Sequence, residues 1–309
     1  MENCLLVFDG HALLYRAYHA FPDLTAPDGR LVNAVYGFTR IMLTVLRRYD
    51  PQYLAVAFDH PTKTFRHDKF AEYKANRVEM PDELKTQSQL VREMVKNLNI
   101  PQFELAGYEA DDLIGTLAAQ VQQQGQLSVV IVTGDKDLLQ LVNDSVHVFI
   151  PKRGQKGEDI EYDRPQVQKK MGVTPDRVVE LKALMGDASD NVPGVRGIGQ
   201  KTAQKLIAEF GNLERLYQAV GEESAGQQQP LLKGSVLEKL KAGRDSAFAS
   251  RELVKIDTHA PIKLELADCR VSGYDKEQAV KLFEELGFRS LVKLLPADDF
   301  EVGVQGALF

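Results

Sequence analysis

Cysteine is scarce: Cys4 and Cys269 are the only two in 309 residues. Two distant cysteines make neither a disulfide framework nor a zinc-ligand pattern, and a reducing cytoplasm is the expected setting. No apolar run is long enough to span a bilayer, so no membrane association is expected. The N-terminus, Met1-Glu2-Asn3-Cys4, lacks a basic n-region and leads straight into a strand pattern, so no signal peptide is expected. Internal repeats are missing as well. Positive charge is in deficit, with a net charge of −6, and this argues by itself against a nucleic-acid partner. The average misleads if a set of acids is committed to cations, because the remaining surface is then net positive.

What is present begins with length. A chain of 309 residues that is 44% hydrophobic can bury a substantial core, as one large domain or two smaller ones. Leu5-Leu6-Val7-Phe8, Leu54 to Phe58 and Val129 to Val132 read as buried strands. Between them lie helical patterns over about Ala34 to Tyr49, Asp82 to Leu98 and Leu113 to Val121. Alternating strands and helices predict a mostly parallel α/β sheet covered on both faces. Val146 to Ile150 and Asp159 to Tyr162 read as a hairpin around the basic loop Lys152 to Gly157. Beyond about residue 163 helices dominate, with one short strand-like run at Leu253 to Ile256.

Ligands of such sheets bind beyond the carboxyl ends of the strands. Asp9, Asp59, Asp135 and Asp137 all follow apolar strands immediately. Glu109, Asp111 and Asp112 open an apolar helix, and Asp187 and Asp190 follow Gly186. Any one of these fits a helix cap or turn acid on a solvated face. Taken together they suit hard divalent cations with oxygen ligands. No histidine or cysteine belongs to the set, which disfavours zinc. His11, near Asp9, reads as a packed or capping side chain rather than a base. Arg16 fits either a phosphate contact or a surface ion pair.

Two further stretches carry charge and shape for nucleic acid. Lys63 to Arg77 interleaves Lys63, Arg66, Lys69, Lys74 and Arg77 with Phe65, Phe70 and Tyr73. The bases offer charge to phosphates; Phe65 and Phe70 read as core, and Tyr73 as a ring for stacking an unpaired base. Gly197-Ile198-Gly199 followed by a helix reads as a helix-hairpin-helix. Its glycines admit a tight turn and a close phosphate, and Lys201 and Lys205 add charge one helical turn apart.

In order along the chain, Val7-Phe8-Asp9-Gly10, Phe58-Asp59, Phe65-Arg66, Tyr73 to Arg77, Gly107 to Asp112, Thr133 to Asp137 and Gly186 to Ala203 resemble the 5′-nuclease domain of bacterial DNA polymerase I, within the flap endonuclease superfamily. The resemblance runs from about residue 4 to about Leu295. It implies a PIN-like mostly parallel sheet flanked by helices, with a helical arch and a C-terminal helical region holding the helix-hairpin-helix. The domains would be residues 1–165 (arch about 63–98) and 166–295, with a flexible tail at 296–309.

The implied function is a structure-specific 5′-3′ exonuclease and 5′-flap endonuclease of replication and repair. It would cut DNA and RNA primers by two-metal-ion catalysis with Mg²⁺ or Mn²⁺. The family would place Asp9, Asp59, Glu109, Asp111 and Asp135 nearer one ion and Asp137, Asp187 and Asp190 nearer the other, with Asp112 as an outer-shell acid. Lys74 and Arg77 would engage the scissile phosphate region. Arg16, Arg66, Tyr73, Gly197, Gly199, Lys201 and Lys205 are the expected DNA contacts, with a monovalent cation such as K⁺ at the hairpin.

Expected partners are branched or nicked DNA with a 5′ flap, RNA–DNA primer junctions, a DNA polymerase domain and a sliding clamp. The clamp expectation rests on the ending Gln305 to Phe309, and the chain is expected to be a monomer. Polymerase I would continue into further domains, whereas this sequence stops at Phe309; a stand-alone relative and an excised domain are the two alternatives. The competing functional readings are a non-cleaving branched-DNA-binding module for a separate polymerase, and an RNA-directed nuclease of related fold.

Overall fold

The computed structural model describes residues 3–125, 127–152, 157–221, 229–301 and 303. The apolar runs form one six-stranded sheet: Cys4–Asp9 (β1), Tyr53–Ala57 (β2), Gln102–Phe103 (β3), Ser128–Val132 (β4), Val146–Ile150 (β5) and Ile160–Tyr162 (β6). The order across it is β3-β2-β1-β4-β5-β6, parallel except for β6, which pairs antiparallel to β5. β3 escaped the sequence reading because it is only two residues long. It joins through the backbone, where the Phe58 N–H donates to the Phe103 carbonyl at 2.8 Å.

The strands are apolar on both sides because both sides are covered. Leu5, Val7, Val129 and Ile131 face Leu113, Leu117 and Val121 of Ala110–Gln124 (α5 in chain order) and merge with the core of the C-terminal helices. Leu6, Phe8, Val56 and Val130 face the other way. They meet Gly10–Ala20 (α1), Asn33–Tyr49 (α2) and Asp82–Asn97 (α4). That second face is completed from far along the chain by Phe283 of Lys276–Glu285 (α12), by Phe288, and by Leu291 of Arg289–Val292 (α13).

The arch stretch is only partly helical. Phe65–Lys69 (α3) is a single short helix, and turns and irregular backbone follow as far as α4. The C-terminal region contains Arg164–Met171 (α6), Val178–Met185 (α7), Gln200–Phe210 (α8), Leu213–Gly221 (α9), Gly234–Ala242 (α10) and Arg244–Val254 (α11). The strand expected at Leu253 to Ile256 does not form. Leu253 and Val254 are the last turn of α11 and pack against Tyr73 and Val192, so their apolar run serves a helix end.

Candidate metal and nucleic-acid site

β1 lies at the centre of the sheet, with β2 on one side and β4 on the other, and the chain winds outward in both directions from there. Such a reversal opens a crevice at the carboxyl ends of the strands. The acids gather at this edge. Asp9 ends β1 and caps α1: one carboxylate oxygen accepts from the Ala12 N–H at 3.0 Å and the other from the Thr133 hydroxyl at 2.7 Å. Asp59, just past β2, accepts from the Ala110 N–H at 2.8 Å, while its own N–H donates to His11 Nδ1 at 3.0 Å. His11 is thus a packed partner of Asp59, edge-on to Phe58. Past β4, the Asp137 N–H donates to Asp135 at 2.9 Å.

Electrostatics shows that these groups share one basin. Burial pushes the Asp9 carboxyl up to about 7, against the hydrogen bonds from Thr133 and Ala12, and the charges of Asp59 and Asp135 add to the rise. Asp111 is held well above the usual carboxylate range by burial, then by Asp135 and Asp9. Burial, followed by repulsion from Asp135, raises Asp137 to about 7. An open cleft of about 660 Å³ lies over Asp135, Asp137 and Asp187, with Tyr15, Arg16 and Lys182 also on its wall. A small void that shares Asp137 with the cleft is lined also by Tyr73, Glu109, Asp111 and Asp190. The eight carboxylates expected to bind metal are thus linked pair by pair, Asp59 through Asp9 and Asp190 through the void it shares with Glu109 and Asp111.

Basic side chains reach into the same basin. Lys182, almost fully buried on α7, contacts Asp137 and lies 2.6 Å from Asp187 Oδ2. Burial disfavours its ammonium, yet Asp137 and Asp187 outweigh that and hold its pKa above the usual lysine range. Sequence reasoning missed Lys182. The available signal was a lone lysine within the apolar run Leu181 to Met185, five residues before Asp187. Lys74 lies 2.8 Å from Glu109 and 3.8 Å from Asp190, and Arg77 Nε donates to Asp190 at 3.1 Å. Lys74 has φ +56°, a left-handed backbone uncommon outside glycine, and its N–H donates to the Asp190 carbonyl at 3.0 Å.

Two expected DNA contacts, Arg66 and Tyr73, are corrected, and Asp112 keeps a supporting place. Arg66 is 2% exposed: it donates to both oxygens of Asp112 at 2.7 Å and to the Leu253 and Lys255 carbonyls at 2.8 Å, which spends its donors inside the protein. Tyr73 is 4% exposed, and its hydroxyl donates to Glu109 at 3.2 Å, so the ring is packing and offers no stacking face. Asp112 is 0% exposed and accepts from Arg66 and from the N–H groups of Glu109 and Asp257. It positions the start of α5 and does not face the cleft. Arg16 lines the cleft but is half-buried, donating to the Pro151 carbonyl.

The hairpin stands beside this basin, with Gln200 at the start of α8 on the cleft wall. Gly197 has φ +82°, as a tight turn requires, whereas Gly199 has φ −90° and ordinary extended backbone. Lys201 and Lys205 are exposed on α8.

The donor set fits a hard divalent cation. Every candidate ligand is a carboxylate, and the charges that raise Asp9, Asp111 and Asp137 are those a cation would offset. Among the described residues no three acidic, histidine or cysteine side chains converge closely enough to hold a metal ion by themselves. Mg²⁺ keeps several waters and takes few carboxylates directly, so it does not require such a convergence.

A central sheet with this acidic edge, a basic segment folded over it and a helix-hairpin-helix alongside define a nuclease. The chain belongs to the 5′-3′ exonuclease family: residues 4–172 match its N-terminal resolvase-like domain and residues 173–277 its C-terminal SAM fold. It is 43% identical over 303 residues to DNA polymerase I of Bacillus caldotenax, and 40% identical over 298 residues to that of Bacillus subtilis, covering 97% and 96% of this chain. It spans about a third of the length of these relatives, 33% in each case. The fold matches a bacteriophage T5 flap endonuclease in a pseudo-enzyme-product complex with DNA and metal ions, at TM-score 0.65 and 23% identity over 92% of this chain and 99% of that one. It also matches the catalytic core of Rad2 in complex with DNA substrate, at TM-score 0.59 and 18% identity over 95% and 92%.

Proposed function

We propose that this chain is a metal-dependent 5′ nuclease that trims 5′ ends and cuts 5′ flaps from DNA and from RNA primers at replication and repair junctions. One observation carries the reading: Asp111 stands half-buried at the mouth of α5, where desolvation and then the charges of Asp135 and Asp9 oppose its ionisation. A carboxylate so placed gains from a divalent cation and has little other use. Two Mg²⁺ or Mn²⁺ ions, when bound, would supply Lewis acidity toward water and the scissile phosphate. Asp9, Asp59, Glu109, Asp111 and Asp135 would hold the first, and Asp137, Asp187 and Asp190 the second. Lys74 and Arg77 would turn from Glu109 and Asp190 toward the phosphate and offset its charge. Gly197, Gly199, Lys201 and Lys205 would hold the duplex through its backbone, without sequence preference. Arg16 would meet a phosphate on the cleft wall.

The working unit in this proposal is a monomeric α/β nuclease core over residues 1–165 and a helical DNA-binding region over 166–295. It acts in the cytoplasm, alongside a polymerase domain. No described helix is long and apolar enough to cross a membrane. The clamp-binding ending Gln305 to Phe309 lies outside the described residues.

The test uses Asp111→Asn and Asp135→Asn on a fluorescent 5′-flap substrate. Cleavage in Mg²⁺ is expected to fall at least a thousandfold, with binding in Ca²⁺ retained. Full activity in both variants defeats the assignment. A wild type that binds the flap yet never cuts it in Mg²⁺ or Mn²⁺ makes the chain a binding module instead. Faster cleavage of RNA flaps than of DNA flaps points to the RNA-directed reading.

A further inference from the structure

The basic segment and the loop that carries Asp187 and Asp190 meet along a seam with two kinds of contact. One kind is ionic. Lys74 lies 2.8 Å from Glu109 and 3.8 Å from Asp190, and Arg77 Nε donates to Asp190 at 3.1 Å. The other kind is neutral and reciprocal. The Asn76 side-chain amide donates to the Ala188 carbonyl at 2.7 Å, and the Asn191 amide donates back to the Glu72 carbonyl at 2.7 Å. Between them the Lys74 N–H donates to the Asp190 carbonyl at 3.0 Å.

Both sides are shaped for this meeting. Lys74 and Asn191 each have φ +56°, a left-handed backbone that asparagine tolerates better than most residues. The loop is closed at its base, where Asp187 and Val192 exchange N–H to carbonyl bonds of 2.9 and 2.8 Å. Inside it the Ser189 N–H donates to the Asp187 carboxylate at 2.9 Å. In so short a turn, holding Ala188 and Asn191 fixes where Asp187 and Asp190 stand.

The two kinds of contact differ in what a cation does to them. The ionic ones use carboxylates that the proposed function commits to metal, and bases that it commits to the phosphate. They would be given up once both are bound. The amide-to-carbonyl bonds carry no net charge and compete with neither.

We infer that Asn76 and Asn191 are positioning residues, which keep the basic segment docked on the Asp187 to Asp190 loop after divalent cations have claimed the acids. The inference rests on the proposed metal site. It lets the side chains of Lys74 and Arg77 swing to the phosphate while their backbone stays beside the second group of acids.

The test follows deuterium uptake at residues 72–77, without DNA, in wild type and in Asn76→Ala/Asn191→Gly. Glycine keeps the left-handed backbone at 191 and removes only the donor. Uptake is compared in EDTA and in Mn²⁺, with bound Mn²⁺ counted by electron spin resonance. In EDTA the two proteins are expected to agree within about twofold, because the ion pairs still hold the seam. In Mn²⁺ wild type stays protected, and the double variant exchanges about tenfold faster. In a second arm, the Mg²⁺ concentration for half-maximal flap cleavage rises about tenfold in the double variant.

Equal uptake by the two proteins in Mn²⁺ overturns the inference, whether both stay closed or both open. So does a double variant that is already open in EDTA, and an unchanged Mg²⁺ requirement overturns the positioning role. A wild type that binds no Mn²⁺ defeats the metal reading and the inference with it. Uptake as expected, in a wild type that never cuts the flap, supports the seam and removes the nuclease assignment.

Discussion

The guanidinium of Arg66 and the carboxylate of Asp112 meet through two parallel hydrogen bonds of 2.7 Å, sealed from solvent. The pair ties the foot of the basic segment to the first turn of α5, and through Asp257 and Lys255 to the end of α11. Removing one partner strands a buried charge, which typically costs about 3–5 kcal/mol. Asp112→Ala and Arg66→Ala are each expected to lower unfolding free energy in urea by that amount. The double variant Arg66→Met/Asp112→Leu should recover much of it. Single variants that unfold like wild type would show that the contact carries no stability.

Asp9 makes a pH prediction with a definite sign. Its carboxyl titrates at about 7 in the folded chain, against an ordinary value of 3.8, because burial opposes its charge. The folded state therefore binds the proton more tightly, and the stability this contributes is complete below about pH 4 and lost as pH rises toward 7. Asp9→Asn has no such loss and keeps an acceptor for the Ala12 cap. In EDTA, its stability relative to wild type is expected to climb by about 1–3 kcal/mol between pH 4 and pH 7. Saturating Mg²⁺ should shrink the difference. A pH-independent gap in calorimetry would remove the argument.

Lys182 predicts a metal dependence. Its ammonium supplies the counter-charge for Asp137 and Asp187. Lys182→Met leaves two largely buried carboxylates facing each other and is expected to cost about 3 kcal/mol in EDTA. Divalent cations can take over the same charge, so millimolar Mg²⁺ should restore more stability to the variant than to wild type. Equal Mg²⁺ responses in a thermal melt would show that lysine and metal do not share this place.

The acidic basin was legible before any coordinates because strand ends announce themselves: an apolar run followed by Asp, at β1, β2 and β4, places side chains along one edge. The same logic could not say which basic residues face outward. Arg66 and Tyr73 sit in a stretch whose composition suits nucleic acid, yet both turn inward. Exposure there depends on Asp112, Glu109 and Leu253, which are distant in sequence. Lys182 stayed hidden for the converse reason. A lysine on an apolar helix face reads as a surface charge until its two carboxylates arrive from other elements.

Tyr73 separates packing from recognition. Tyr73→Phe loses one hydrogen bond to Glu109, worth about 1 kcal/mol, and keeps the ring. Flap affinity in Ca²⁺ should stay within about twofold of wild type, since the ring is not presented to a strand. Tyr73→Ala opens a cavity beside Val192, Leu253 and Val254 and is expected to cost about 3–5 kcal/mol. A Phe variant with wild-type stability and much weaker affinity would return the residue to the DNA.

The two closing helices set a practical limit on trimming the chain. The matched family domains end at residue 277, inside α12, yet Phe283 and Phe288 beyond that point are wholly enclosed, and Phe288 meets Tyr36 of α2 edge-on at 5.3 Å. A nuclease cut at 277 would bare an oily strip along α2 and α4, of the kind that makes preparations cloud and clump. Anyone paring this enzyme down should keep residues through Leu295.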